Sequence, residues 1–205
     1  MQKQPSVRAS AVKDALAFLD KFEPGSLKRV LVRVPARSLS VIEGTSRSGW
    51  VHVDHDHFII DAVVETFGQA RAIEFWAATI AQLADRPLLK AFVGGMLRAV
   101  ELEPHRIVAI VATGWPLVYR DVCSLRAVTN PDGHAALRFE QVAPEIRKYR
   151  NYLHSWHGGL AGFARLAGLQ VRVQFEGVAG LDFAQATLLP AQRVPSLESD
   201  AAVKR

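Results

Sequence analysis

The densest group of chemistry-bearing residues is HVDHDH, His52 to His57, with three histidines and two aspartates in six positions. Imidazole and carboxylate are the usual donors to zinc and other first-row metals, so the run invites a metal reading. A His-x-His-x-Asp-His motif would need a histidine at position 54. Asp54 stands there, so His52, Asp56 and His57 match and the fourth donor does not. The competing reading is a helix start, with Asp54 as N-cap, Asp56 in the favourable field of the helix dipole and the histidines exposed. That reading uses the whole run without remote ligands, so no metal site is assigned. His154 and His157, spaced i, i+3, would share a helix face, but no cysteine or carboxylate stands near them in sequence to complete a ligand set. Cys123 is the single cysteine. A nucleophile needs a base and an electropositive setting; the sequence places neither, and a buried, inert thiol is expected. There is no Gly-x-Ser-x-Gly elbow and no Gly-rich phosphate loop. No catalytic residue is assigned and no cofactor is expected.

The aromatic residues are more suggestive together than singly. Trp76, Phe92, Trp115, Tyr149, Tyr152 and Trp156 come from different helices or helix ends, with His154 between the last two. Each satisfies a core role. Together they also suit the wall of an apolar pocket with a few orienting polar groups. Tyr149, Tyr152, His154 and Trp156 are the candidate ligand contacts, with Trp76 and Trp115 as wall.

These residues converge on one stretch, YLHSWHGGLAGFARLAG, Tyr152 to Gly168. It reads as a helix with Gly158, Gly159 and Gly162 crowded into one and a half turns. A glycine inside a helix costs about 1 kcal/mol relative to alanine, so three imply something pressed close against the backbone. The flanking segments read as hairpins, which makes a sheet the expected neighbour. Val122 to Thr129 and Ala135 to Val142 are strands around the turn Asn130-Pro131-Asp132-Gly133. Leu169 to Glu176 alternates strictly, Gly177 to Gly180 turns the chain back, and Leu181 to Leu189 closes it.

The first half is helical. Ser10 is an N-cap candidate for a helix through Val12, Leu16, Leu19 and Phe22, stopped by Pro24-Gly25. Short helices follow over Ser26 to Val34 and Ala36 to Glu43. Longer ones carry Phe58, Ile59 and Val63, then Ile73, Trp76, Ile80 and Leu83. Leu88 to Val100 has an apolar face wide enough to be buried on more than one side, and Gly94-Gly95 inside it reads as a packing contact. Pro104 starts another helix, which Gly114 and Pro116 are expected to disturb. The predicted fold is α+β: a helical N-terminal half packed on one face of a four-stranded, mainly antiparallel sheet, in a hairpin–helix–hairpin C-terminal half. The predicted limits are an unstructured 1–9, one domain over 10–190 and an unstructured tail over 191–205.

At 205 residues, 49% hydrophobic and 22% charged, the chain suits one globular domain. No apolar run is long enough to span a membrane, and the N-terminus lacks the apolar block of a secretory signal. With one cysteine, a cytoplasmic location is expected. The net charge of +5 permits an acidic partner. Lys28, Arg29, Arg33, Arg37 and Arg47 face only Glu43 within their segment, and Arg147, Lys148 and Arg150 are interleaved with Tyr149 and Tyr152. Basic and aromatic residues together serve nucleic-acid stacking, but no reader motif accompanies them, so nucleic acid ranks last among the expected partners.

Several of these features resemble an uncharacterised bacterial family largely restricted to the myxobacteria (Myxococcales). They are Ser48-Gly49-Trp50, the helix ending in Glu65-Thr66-Phe67-Gly68, the helix start at Asp85-Arg86-Pro87, the strands around Asn130 to Gly133, and the approach to the glycine helix through Tyr149, Trp156 and Gly159. The closing half, with LAGLQVRVQF and its final strand, also resembles the 4-vinyl reductase and TRAPP-subunit type of domain, including the haem–nitric-oxide-associated relatives. That resemblance implies helices on a twisted antiparallel sheet, dimerisation and an apolar ligand, and it implies no catalytic residues. The closing strand, LDFAQATLL, carries no cysteine, so no metal or thiol function of that type is implied. The leading expectation is a non-enzymatic sensory or signalling module that binds a small molecule or lipid. The alternatives are a homodimeric assembly module, built on the Leu88 to Val100 face, and a metal-binding protein or enzyme using His52 to His57.

Overall fold

Burial of one helix face against another, rather than against a sheet, sets the centre of this fold. The computed structural model describes residues 4–84, 103–169, 171–176 and 183–190. In chain order these form β1 (Ser6–Arg8), α1 (Ala9–Phe22), α2 (Ser26–Leu31), α3 (Ala36–Gly44), β2 (Trp50–His52), α4 (Val53–Phe67) and α5 (Gln69–Ala84). Then come α6 (Pro104–Val118), β3 (Tyr119–Arg120), β4 (Ser124–Thr129), β5 (Ala135–Glu140), α7 (Pro144–Lys148), α8 (Tyr152–Leu166), β6 (Val171–Glu176) and β7 (Phe183–Pro190). The apolar segment Leu88 to Val100 with Gly94-Gly95, the turn Gly177 to Gly180 and the tail 191–205 lie outside the described residues.

The α+β expectation holds. A four-stranded antiparallel sheet runs in the order β4-β5-β7-β6, with α6 and α8 on one face. The β4–β5 hairpin turns where the sequence placed it. Asn130 accepts from Gly133 N through its backbone carbonyl and from His134 N through Oδ1, and Gly133 takes the left-handed conformation at φ 82°. In β6, Val173 is buried while Arg172, Gln174 and Glu176 are exposed, as period-2 alternation requires.

A second, three-stranded sheet, ordered β2-β1-β3, was not expected. It overturns the unstructured reading for residues 6–9: Val7 is 2% exposed and pairs with Val51 on one side and Tyr119 on the other. Strands of two or three residues are too short to carry a readable period. The same sheet displaces Ser10 as cap. Helix α1 begins at Ala9, and its first free N–H groups are taken by loop carbonyls, Ala9 N to Gly49 O and Ser10 N to Arg47 O, both 3.1 Å. Helix α6 runs through Gly114 and Pro116 instead of breaking. Pro116 falls in its last turn, where it removes its own N–H bond to the Ala112 carbonyl but leaves only two residues of helix beyond it.

The glycine face meets a helix. A Cβ added at Gly158 would stand 2.5 Å from the Ile73 carbonyl oxygen and 2.5 Å from Trp76 Cβ; at Gly162 it would stand 2.6 Å from the Ala77 carbonyl oxygen. Gly158 and Gly162, one turn apart, therefore let α8 lie directly on the backbone of α5. Gly159 points elsewhere, with nothing within 4 Å of an added Cβ. The core divides accordingly. Val12, Leu19, Val30, Ile59, Val63 and Phe75 fill the helical half, while Leu137, Phe139, Tyr152, Trp156 and Leu160 fill the space between helices and sheet. Trp76 packs against both clusters.

Candidate functional site

Gly159 faces a cavity of about 230 Å³ lined by residues of α1, α4, α5, α6 and α8 with β1, β3 and the inner face of β5. Helical spacing explains who lines it. On α8, Ser155, Trp156, Gly159 and Leu160 fall on one stripe; on α6, Val111, Gly114, Trp115 and Val118 do the same. Gly114, like Gly159, has no atom within 4 Å of a would-be Cβ, so each glycine leaves room where any other residue would intrude.

Aromatic rings form the wall toward the sheet. Trp156, 5% exposed, stacks on Phe139 with ring centroids 4.9 Å apart and meets Trp115 edge-on at 5.5 Å. Trp115 stacks in turn on Tyr119 at 4.1 Å. The indole Nε1 groups of Trp76, Trp115 and Trp156 are buried, and among the described residues none makes a hydrogen bond of good geometry. Trp156 Nε1 lies near enough to the Tyr119 phenol to influence it electrostatically, but its geometry falls short of a hydrogen bond.

The charge in this wall is Asp56, 5% exposed, in the first turn of α4. Tyr152 Oη donates to its Oδ2 at 2.5 Å, across 96 residues of chain. Burial pushes the Asp56 carboxyl up to about 6, opposed by the Tyr152 hydrogen bond. Burial and the neighbouring Asp56 raise both Tyr119 and Tyr152 far above the ordinary phenol range, so both stay protonated donors. Among the described residues no lysine, arginine or histidine lines the cavity.

Asp56 imposes a pH dependence on stability. Its carboxyl holds its proton more tightly in the folded chain, at about 6, than at its ordinary 3.8 when unfolded. Below about pH 3 both states are protonated and the group costs nothing. As pH rises to about 6 the unfolded chain ionises first and stability falls, by roughly 3 kcal/mol in all above that range. Asp56→Asn keeps an acceptor for Tyr152. It is expected to flatten this slope and to be more stable than the wild type at pH 7.5, measured as urea midpoints at pH 3 and 7.5. Identical slopes for the two proteins would contradict a desolvated carboxyl.

Of the residues expected at the site, Trp76, Trp115 and Trp156 line the cavity and Tyr149, Tyr152 and His154 do not. Tyr152 sits behind Asp56 and orients it. Tyr149 stacks on His57 with ring centroids 3.8 Å apart and donates to Asp54 Oδ1 at 2.7 Å. His154 is half-buried away from the wall, and burial lowers its pKa. The sequence reading missed Asp56 and Tyr119 as wall residues. A signal for Asp56 existed: it shares the i, i+3, i+4, i+7 stripe with Ile59, Ile60 and Val63, all buried.

The histidine run resolves differently from either sequence reading. His52, not Asp54, is the N-cap, its Nδ1 accepting from Asp54 N at 3.2 Å. His55 Nδ1 faces Ser38 Oγ at 3.1 Å, and His57 is buried rather than exposed. The three rings are thus engaged separately, and among the described residues no three His, Cys, Asp or Glu side chains converge as metal ligands. Cys123 is half-buried, its thiol pushed up to about 12 by burial, which disfavours the nucleophilic thiolate. The basic segment is partly neutralised in space: Arg29 and Arg71 both pair with Glu23, and Arg47 pairs with Asp14 at 2.5 Å. Tyr152 is buried, so it offers no stacking surface beside Arg147 and Arg150. Among the described residues no helix is long and apolar enough to cross a membrane. No protein-family model matches the chain, and no curated protein or solved structure matches it either.

Proposed function

We propose that this protein is a binding module for an apolar small molecule, held in the cavity between α8, α6 and the sheet, and that it performs no chemistry on that ligand. The observation that carries this reading is the cavity itself, about 230 Å³ with a wall of tryptophan and aliphatic side chains and two glycines that keep it open. Close packing is the rule inside proteins, and voids larger than a water molecule are few. An engineered apolar cavity of about 150 Å³ binds benzene, so this one has room for a somewhat larger body. Binding rather than catalysis is favoured because the thiol and phenols nearby are held protonated. The sequence resemblance to the 4-vinyl reductase and TRAPP-subunit type of domain points the same way.

Gly159→Leu and Gly114→Leu test the reading. Each would project a side chain into the cavity and gain helix propensity of up to about 1 kcal/mol. Both variants are expected to fold with undiminished stability. Native mass spectrometry of the wild-type protein is expected to show a co-purified small mass, or calorimetry a titratable apolar ligand, and either variant is expected to lose it. Ligand binding that persists unchanged in both variants would place the site elsewhere.

A further inference from the structure

Resting on the cavity reading above, we infer that the occupant is an organic cation: an ammonium group seated on the Asp56 carboxylate and carried by a compact aromatic or branched apolar body. Asp56 is buried in the cavity wall, and among the described residues its carboxylate accepts one hydrogen bond, from Tyr152 at 2.5 Å. A carboxylate offers about four acceptor positions, so most of its capacity is unmet. Buried charges are ordinarily paired. No cationic side chain lines this cavity among the described residues, which leaves the ligand to supply the positive charge.

The alternatives fit the wall less well. A carboxylate or phosphate ligand would meet Asp56 as a like charge with no arginine, lysine or histidine to offset it. A neutral ligand would leave Asp56 as desolvated as before. A metal ion would need further hard donors, and none converge with Asp56 among the described residues. Trp115, Tyr119 and Trp156 line the same cavity, and aromatic rings attract ammonium groups. The titratable groups that face Asp56 are Tyr152 of α8 and Tyr119 of β3, and both remain neutral donors through the physiological range.

Calorimetric titration of the full chain with three molecules of similar size separates the possibilities. The probes are 2-phenylethylamine, 2-phenylethanol and phenylacetate, at pH 7.5. The amine is expected to bind at least about tenfold more tightly than the alcohol, and phenylacetate most weakly. Asp56→Asn, confirmed as folded by circular dichroism, is expected to abolish the preference for the amine without weakening the alcohol. In the wild type, amine affinity is expected to fall about tenfold between pH 7.5 and pH 5, in proportion to the ionised fraction of a carboxyl at about 6. The alcohol should show no such slope. Alcohol or phenylacetate binding as tightly as the amine overturns the cation inference and leaves the cavity reading standing. Failure of all three to bind, with no small mass co-purifying, overturns both.

Discussion

Gly158→Ala combined with Gly162→Ala is expected to lower unfolding free energy by roughly 2–4 kcal/mol, while Gly159→Ala, one residue away, raises it by about 0.5–1 kcal/mol. The same chemical change gives opposite signs because the three glycines face different things. At Gly158 the new methyl would sit 2.5 Å from a backbone oxygen of α5, and at Gly162 2.6 Å from another, so neither obstacle can rotate away. The two helices must separate, loosening the largest helix–helix contact among the described residues. At Gly159 the methyl enters open space, and the gain in helix propensity and the narrower unfolded ensemble act alone. The paired substitutions should also be less than additive. Both press on Ala77, so once the first has parted the helices the second meets less resistance. Urea unfolding of the three single variants and the double variant measures all four values. Midpoint shifts of the same sign at positions 158 and 159 would mean that α8 is rotated from the orientation described.

Trp156→Ala carries the second large effect, a loss of about 3–5 kcal/mol. The indole is buried and touches Phe139, Trp115, Tyr152 and Tyr119 at once, so its removal strips packing from both the sheet and the Asp56–Tyr152 pair. Trp156→Phe is expected to cost much less. It retains a ring to stack on Phe139 and eliminates a buried N–H that makes no hydrogen bond of good geometry among the described residues, an arrangement that costs about 1–3 kcal/mol. The contrast is measurable by thermal or urea unfolding of both variants. A large loss in both would indicate that the indole N–H is satisfied, by water or ligand, in the native protein.

The two variants bear on function as well as stability. Trp156 is part of the wall against which the proposed ammonium ligand would lie, and Tyr152, which holds Asp56, packs against it with ring centroids 5.8 Å apart. A Trp156→Phe protein that is nearly as stable as wild type but binds the amine more weakly would separate the two roles of the ring.

Much of the fold could be read without coordinates. The alternation of Val171, Val173 and Phe175 named β6, the Asn-Pro-Asp-Gly turn named the β4–β5 hairpin, and three glycines in α8 announced a close approach of backbones. These are local signals: side-chain period, turn chemistry and helix propensity act within about ten residues, so sequence carries them directly. What pressed on the glycines was another matter. The hairpins beside α8 suggested a sheet, yet Gly158 and Gly162 lie on α5, some 80 residues earlier in the chain, and only Gly159 is left for the cavity. The strands Ser6–Arg8, Trp50–His52 and Tyr119–Arg120 were invisible for the opposite reason, since two or three residues have no period and exist as strands only because they pair with one another. Asp56 shows the limit most sharply. Its residue type and its position on an apolar helical stripe are written in the sequence. Its altered proton affinity, its Tyr152 partner and its place in a cavity that no described lysine, arginine or histidine lines are sums over desolvation and charge from distant segments, and only the tertiary structure brings those segments together.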